Sequence, residues 1–573
     1  MKNYFLLFGI LLFIPFFSEA CTNYLVTKTA SVDGSTMISY AADSHIRYGE
    51  LYWRPASDWP EGSMRTIYDR GTNKPLGQIP QVAHTYKVVG FMNEHQVAIG
   101  ETTFGGRNEL LDTTGIIDYG SMMFIVLERS KTAREAIKIM IELFNEYGYA
   151  SSGETFSIAD PNEVWIVELV GKGVDLVYDK KQKKYINKNK GVVFVAIKIP
   201  EGYVSAHANH SRITNFPLEN MKNSISCKNL DKIFDENIEV VYAHDVISFA
   251  KEKSYFSGKD EDFSFSQAYA PITYDAARFC ELRVWAMYNE ISDDMAKYWD
   301  AACGNDLETR LPLYIKPNRK LSQLDLFKFF RNYLQGTELD MTTDIGAEPS
   351  RMPYRWRPLT FEYNGKEYLQ ERVTVTQQTG FSFVAQMRSN LPNPIGGVYW
   401  LGVDDAGSCV YTPFYVGITK PASKWAEGYG DILTYKDDAA FWVFNRLAHF
   451  KYLFYNRVMP EIEKHQSFLE NKYVEYLDII DETALKLYEN SPEKAEEFLT
   501  EYSCNTANAL VDYWKELDNF LLVKYLDGNV KPEENGEFLR NPWGYPKSIE
   551  WPGYSDEWKK NLIEKTGERF LMK

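Results

Sequence analysis

The chain has 573 residues, of which 45% are hydrophobic, 15% aromatic and 25% charged, so it has ample core material and needs no disulfide staples to fold. A formal net charge of -16 repels phosphate backbones and argues against nucleic acid as a partner. After the N-terminal segment no apolar run approaches the roughly 20 residues that span a bilayer, so the mature protein is expected to be soluble, with no membrane span.

Met1 to Phe17 has a basic start at Lys2 and an apolar run from Tyr4 to Phe17, followed by small residues at Ser18 and Ala20. This is the pattern of an export signal, and it predicts a periplasmic or extracellular protein cleaved after Ala20. Cleavage makes Cys21 the mature N-terminus, with a thiol and a free α-amine on one Cα. An α-amine titrates near ~8 and a thiol near ~8.5. The amine can therefore take the thiol proton, directly or through one water, near neutral pH. Position alone leaves two other fates open to Cys21. One is a disulfide, since cysteines of exported chains usually pair; the other is lipid acylation, against which stands Ser18 where a branched apolar residue is wanted.

The other cysteines are Cys227, Cys280, Cys303, Cys409 and Cys504. If Cys21 stays free, the five that remain cannot all pair within one chain, and the absence of any Cys-x-x-Cys argues against zinc and thioredoxin-like chemistry. The signature that surrounds papain-type catalytic cysteines is also missing.

From Cys21 the chain alternates as a strand, with Cys21, Asn23, Leu25 and Thr27 on one face. Asp33-Gly34 signals a turn, and Ser35 to Tyr40 reads as the return strand of a hairpin that ends in Ala41-Ala42-Asp43-Ser44. Asp43 either orients the cysteine's amine and thiol or merely caps the strand end. Thr132-Ala133-Arg134-Glu135 is a capping box opening a helix with Ala136, Ile137, Met140, Leu143 and Phe144 on one face, closed by Gly148. Phe156 to Ala159 and Val164 to Val167 are β-rich runs joined by the turn Asp160-Pro161-Asn162-Glu163. Strands and helices arrive in runs, which suggests antiparallel sheets with helices packed outside.

His207 and His210 lack a third ligand at useful spacing and read as surface or hydrogen-bonding histidines more than as a metal site. Asp404-Asp405, flanked by Gly402 and Ala406-Gly407, reads as a tight turn more than a paired-carboxylate acid/base site. A helix is predicted over roughly Glu461 to Glu489. A second opens at Ser491-Pro492-Glu493 and runs to a stop at Gly528. Their aromatic and leucine stripes are those of a packed helical hairpin, which either shapes a cleft or forms a subunit contact in a homo-oligomer. The tail after Asn529, rich in Pro, Gly, Asn and Trp, reads as an irregular arm.

Cys21-Thr22-x-x-Leu25-Val26, Asp33-Gly34-Ser35-Thr36-Met37-Ile38 and Asp43-Ser44 together resemble the N-terminal-cysteine dipeptidases, a branch of the N-terminal nucleophile hydrolases. The likeness continues through Met92 to Thr103, Glu154 to Lys172, Ser205 to Asn209, Arg278 to Trp285, and Trp400 to Asn445. It spans Cys21 to roughly Phe450, and implies a signal peptide (1–20), a catalytic domain (21–450) and a helical extension with its arm (451–573). The fold it implies is α+β, a four-layer αββα sandwich of antiparallel sheets, with no metal or organic cofactor required.

By the same resemblance Cys21 is the nucleophile, Asp43 the acid that holds its amine, Asn209 an oxyanion-hole residue near the amine, and Arg283 a support of that network. Thr102 or Thr103 falls where relatives place a second oxyanion donor. Asn209-His210-Ser211 is also a glycosylation sequon, and a sugar there would conflict with an oxyanion role. One departure is notable: relatives usually have Arg-Asn-Glu before the Asp-Ser pair, whereas this chain has Tyr40-Ala41-Ala42. Tyr40, Arg47 or Arg283 would then have to supply what that arginine provides. The implied activity is hydrolysis of short peptides, chiefly dipeptides, through a thioester. The alternatives are an N-acyl amide hydrolase using the same centre, and an exported binding protein that has lost the chemistry.

Overall fold

The β-rich runs pair into two large sheets, seen in a computed structural model that describes residues 20–181 and 183–573. Residues 1–19 of the expected export signal lie outside the described residues. β1 (Ala20–Val26) and β2 (Thr36–Asp43) form the expected hairpin, with Cys21 opposite Ala42 and Val26 opposite Met37. Its connection is tied by the Asp33 carboxylate, which accepts from Ser35 N at 3.1 Å and Ser35 Oγ at 2.6 Å. Gly34 follows at φ +74°, a conformation that suits glycine. The return strand runs on to Asp43, beyond the expected Tyr40, because Ala42 and Asp43 still pair with Phe381 and Thr379.

The further principal strands are β3 (Ala98–Gly105), β4 (Gly153–Ala159), β5 (Val164–Gly171), β6 (Val192–Lys198), β7 (Val204–His207), β8 (Thr379–Met387), β9 (Gly397–Val403) and β10 (Thr412–Tyr415). One sheet runs Tyr314–Ile315, β7, β1, β2, β8, β9, β10. The other runs Ser224–Ser226, Val240–Tyr242, β6, β5, β4, β3, Met92–Asn93, Val88–Val89, Trp53–Arg54. Pairing is antiparallel throughout except between Ser224–Ser226 and Val240–Tyr242, which run parallel.

β3 lies against β1 and β2, and β4 against β2, so the sheets meet across the first hairpin. Gly100 permits this approach: a Cβ there would sit 2.8 Å from the side-chain amide of Asn23 and 3.3 Å from Ser39 O. Helices cover the other sides. α1 (Tyr119–Leu127) packs on β3 and α2 (Ala133–Tyr147) on β4 and β6, while α3 (Leu282–Ile291) packs on β7 and α4 (Gln323–Phe329) on β8. The alternation of β1 therefore does not separate a wet face from a dry one. Asn23 turns toward β3, Tyr24 packs on Phe329 and Phe330 at the end of α4, and every residue from Ala20 to Val26 is buried.

α2 follows its sequence signals. Thr132 Oγ1 accepts from Glu135 N at 3.2 Å, and Gly148 ends the helix at φ +78°. Glu135 reaches back to Lys131 N at 2.7 Å, one residue before the cap. After α5 (Ala440–Leu453) come α6 (Tyr455–Asn490) and α7 (Pro492–Lys524). α6 begins ahead of the expected Glu461 and takes Pro460 into its body, where Val458 and Met459 are buried beside it. The pair shares the sheets' core. Trp514 stacks on Phe444 at 5.3 Å, Trp425 Nε1 donates to Ala507 O at 2.9 Å, and Arg331 pairs with Glu470 at 2.6 Å. The arm after Asn529 is more ordered than expected, with a short hairpin (Glu533–Glu534 with Glu537–Phe538) and a helix over Asp556–Thr566 capped by Ser555. Among the described residues no helix is long and apolar enough to cross a membrane.

Candidate active site

Cys21 sits at the start of β1, buried between the two sheets, and two distant segments converge on its backbone. Its nitrogen donates to Asn209 Oδ1 at 2.7 Å. Its carbonyl accepts from Arg283 Nη1 at 2.6 Å, and the same nitrogen reaches Thr22 Oγ1 at 2.6 Å. Arg283 Nη2 donates to Asn209 Oδ1 at 2.9 Å, closing the loop between the three residues.

Local structure explains how each partner arrives. Arg283 lies in the first turn of α3, directly after a π-helical turn over Ala277–Glu281, and its Nε donates back to Phe279 O at 2.6 Å. Such turns re-aim side chains out of a helix's regular register. Asn209 follows β7 at φ +57°, a left-handed conformation that asparagine tolerates better than most residues. One hydrogen of its amide is given to Thr103 O at 2.8 Å. The loop beyond it is tied by Glu168 on β5, whose carboxylate accepts from Ser211 Oγ, Arg212 N and Ile213 N. Arg212 in turn forms a fully buried pair with Glu281 at 3.1 Å.

The Cys21 sulfur lies 3.8 Å from Tyr40 Oη and 3.8 Å from Glu101 Oε1, and the Tyr40 hydroxyl donates to that same carboxylate oxygen. At Tyr40, where the resemblance leads one to expect an arginine, a phenol thus meets the thiol together with a buried acid from β3. Glu101 stands in the Met92 to Thr103 block, next to the threonines expected as oxyanion donors, and nothing local in the sequence sets it apart from them. Asn23, two residues after Cys21, fixes its backbone: with the side-chain amide oriented to satisfy both groups, Asn23 accepts from Glu101 N at 3.0 Å and donates to Glu101 O at 3.1 Å.

Asp43 is opposite Ala20 in the β1–β2 register, one step from Cys21. Its buried carboxylate takes Arg372 and the Thr379 hydroxyl (2.6 Å) as partners, and its carbonyl accepts from Gln378 Nε2 at 2.7 Å. Burial raises its carboxyl above the usual carboxylate range, against the pull of Arg372 and Thr379. Arg372 and Thr379 carry no local signal in the sequence, since they lie more than 300 positions from Asp43. Thr102 Oγ1 lies 2.7 Å from His207 Nδ1, and Thr103 Oγ1 donates to Glu154 at 2.9 Å, so both hydroxyls are engaged away from Asn209 and the sulfur.

Of the remaining candidates, His207 and Asp405 have side-chain partners, whereas the Nε2 of buried His210 has no hydrogen-bond partner among the described residues. His207 is sandwiched between Thr102 and Ser157 Oγ (2.7 Å), and burial holds its imidazole well below its ordinary pKa. His210 is neither at the surface nor hydrogen-bonded through Nε2, contrary to the expectation, and burial pushes its pKa down to about 4. Asp405 forms the expected turn by accepting from Gly407 N at 2.8 Å, and pairs with fully buried Lys451 at 2.9 Å. Burial pushes the neighbouring Asp404 carboxyl up to about 7. No disulfide joins any of the six cysteines. Arg47, one candidate substitute for the missing arginine, donates to Arg70 O at 2.7 Å and Tyr119 Oη at 3.1 Å.

Comparison with known proteins matches this chain to peptidase family C69 over residues 20–52 and 47–467. A protein of Latilactobacillus sakei named probable dipeptidase is 24% identical over 448 residues, which is 75% of this chain and 80% of that protein. A probable dipeptidase B of Streptococcus pyogenes serotype M6 is 22% identical over 538 residues, 90% of this chain and 95% of its own length. A probable dipeptidase of Salmonella dublin is 22% identical over 421 residues, 70% of this chain and 81% of its own length.

Proposed function

The chain belongs to peptidase family C69 and is a cysteine-type peptidase, and from that premise we propose that it is an exported dipeptidase whose nucleophile is Cys21. The observation that carries the proposal is the convergence of Asn209 and Arg283 on the backbone of Cys21, with Asn209 Oδ1 2.7 Å from its nitrogen. Removal of the leader through Ala20 would turn that nitrogen into an α-amine already oriented by a hydrogen-bond acceptor. The paired sheets with helices outside support the four-layer αββα arrangement of the N-terminal nucleophile hydrolases, with residues 21–450 as the catalytic unit. The leader's basic, apolar and small-residue order supports export to the periplasm or the exterior.

In the proposed reaction the amine takes the Cys21 proton, directly or through one water, and the sulfur attacks the substrate carbonyl. Charge moves to the carbonyl oxygen, where the Asn209 amide and backbone N–H groups stabilise it. Collapse breaks the C–N bond, and the protonated amine returns its proton to the leaving amine. A water, deprotonated by the same amine, then cleaves the thioester and restores the thiol. Asp43 and Arg283 act on position, one beside the end of β1 and the other on the Cys21 carbonyl.

The test is the intact mass and N-terminal sequence of the mature exported protein, followed by assay on dipeptides and N-acyl amino acids in parallel. The proposal expects unmodified Cys21 at the N-terminus and turnover of dipeptides that Cys21→Ala abolishes. Retained leader residues, lipid on Cys21, or hydrolysis of N-acyl amides alone would sink it.

A further inference from the structure

Near the proposed nucleophile lies a cation that the reaction scheme does not use. Among the described residues the Arg70 guanidinium makes no ion pair and no hydrogen bond, and its contacts are the rings of Tyr52, Phe91 and Phe124, at 5.0, 5.6 and 5.4 Å from their centroids. The residue is half-buried, so this charge is partly withdrawn from water. Glu50 feels its field, but the Glu50 carboxylate accepts from Gly428 N at 2.9 Å.

The chain holds Arg70 firmly while leaving its charge without a counterion. Its backbone N donates to Asp118 Oδ2 at 2.8 Å, and its carbonyl accepts from Arg47. Asp118 is also the N-cap of α1, accepting from Ser121 N at 2.9 Å. The arginine stem then crosses the first turn of α1 at Gly120, where a Cβ would come within 2.0 Å of Arg70 Cδ and 2.7 Å of its Cβ. Glycine is the residue that lets the stem pass.

Arg70 also belongs to the nucleophile's surroundings. Phe91, one of the rings beside the guanidinium, meets the Tyr40 ring at 6.0 Å, and the Tyr40 hydroxyl is 3.8 Å from the Cys21 sulfur. Tyr40 is among the groups whose field reaches Arg70. A guanidinium offers a planar fork that matches a carboxylate, and aromatic faces hold it in place without neutralising it. A residue of extended peptide spans at most about 3.6 Å, so an anchor at fixed distance from the sulfur measures substrate length.

We propose that Arg70 receives the C-terminal carboxylate of the substrate and so restricts the enzyme to very short peptides. This rests on the dipeptidase reading of the Cys21 centre. An acidic side chain offers the same chemistry, and the test separates the two. Binding of Ala-Ala, Ala-Ala-amide and Ala-Asp-amide to the mature Cys21→Ala protein is measured by titration calorimetry, with and without Arg70→Met. The expectation is that Ala-Ala binds about ten- to a hundredfold tighter than its amide. Arg70→Met should erase that preference while leaving affinity for the amide within about twofold, and Gly120→Ala, by displacing the stem, should weaken it in the same direction. The proposal is overturned if the preference survives Arg70→Met, if Ala-Ala does not bind, or if Arg70 matters only for Ala-Asp-amide. Because binding is read without turnover, a parent protein that binds Ala-Ala through Arg70 yet hydrolyses no peptide would count against the dipeptidase reading alone.

Discussion

The Tyr40 hydroxyl donates to the carboxylate of Glu101, and the Cys21 sulfur lies 3.8 Å from each. A carboxylate this close disfavours a thiolate, and a phenol that hydrogen-bonds it draws part of its charge away from the sulfur. Tyr40→Phe should therefore raise the apparent pKa of the Cys21 thiol and slow its alkylation at neutral pH, while Glu101→Gln should lower that pKa. The pH profile of iodoacetamide labelling of the mature protein checks both signs. Opposite or absent shifts would remove the pair from any role in tuning the nucleophile.

Asn209 touches both the Cys21 nitrogen and Arg283, so truncating it removes an acceptor for the proposed base and a donor for the developing oxyanion. Asn209→Ala should lower kcat on a dipeptide by about 100- to 1,000-fold and remain measurably above Cys21→Ala. Steady-state kinetics, with circular dichroism to confirm that the variant folds, tests this expectation.

The role given to the α-amine has its own test. A mature protein carrying one additional residue before Cys21 has an amide where the base should be, and an amide nitrogen cannot take a proton near neutral pH. Its dipeptidase rate should fall by roughly 100- to 10,000-fold, the usual range for a general base. The thiol of that protein should still react with alkylating reagents. A rate equal to that of the correctly processed protein would rule out the amine as base.

Burial holds His210 at about 4 from an ordinary 6.5, so the folded state favours the neutral ring. Between these values the unfolded chain binds a proton that the folded chain refuses, and the His210 contribution to stability is lost as pH falls. The contribution changes by at most about 1.4 kcal/mol per pH unit across that window. His210→Gln should flatten the fall in urea-unfolding free energy between pH 6.5 and 4.5 relative to the parent protein. Parallel profiles for the two proteins would show that the ring titrates normally in the fold.

Some residues that the resemblance groups together meet in the fold, and others do not. Cys21, Asn209 and Arg283 are joined by hydrogen bonds. Thr102 and Thr103, placed in the oxyanion region by the same resemblance, spend their hydroxyls on His207 and Glu154. Asp43 was legible as an acid beside the end of the hairpin, but not as the partner of Arg372 and Thr379.

Features whose causes act within a few residues were determined by the sequence itself. Asp33-Gly34 turns the first hairpin, Thr132 and Gly148 bound α2, and Ser491-Pro492 starts α7. Only the tertiary structure decided what surrounds the sulfur. Asn209 is 188 positions from Cys21 and Arg283 is 262, and Glu101 reaches the thiol only because β3 packs across β1 over Gly100. Arg70 is an ordinary arginine beside a turn until its stem crosses α1 at Gly120 and its charge settles among three aromatic rings. Caps and turns are short-range and can be read along the chain, whereas the charges and hydrogen bonds at a reacting atom depend on which sheet faces are brought together.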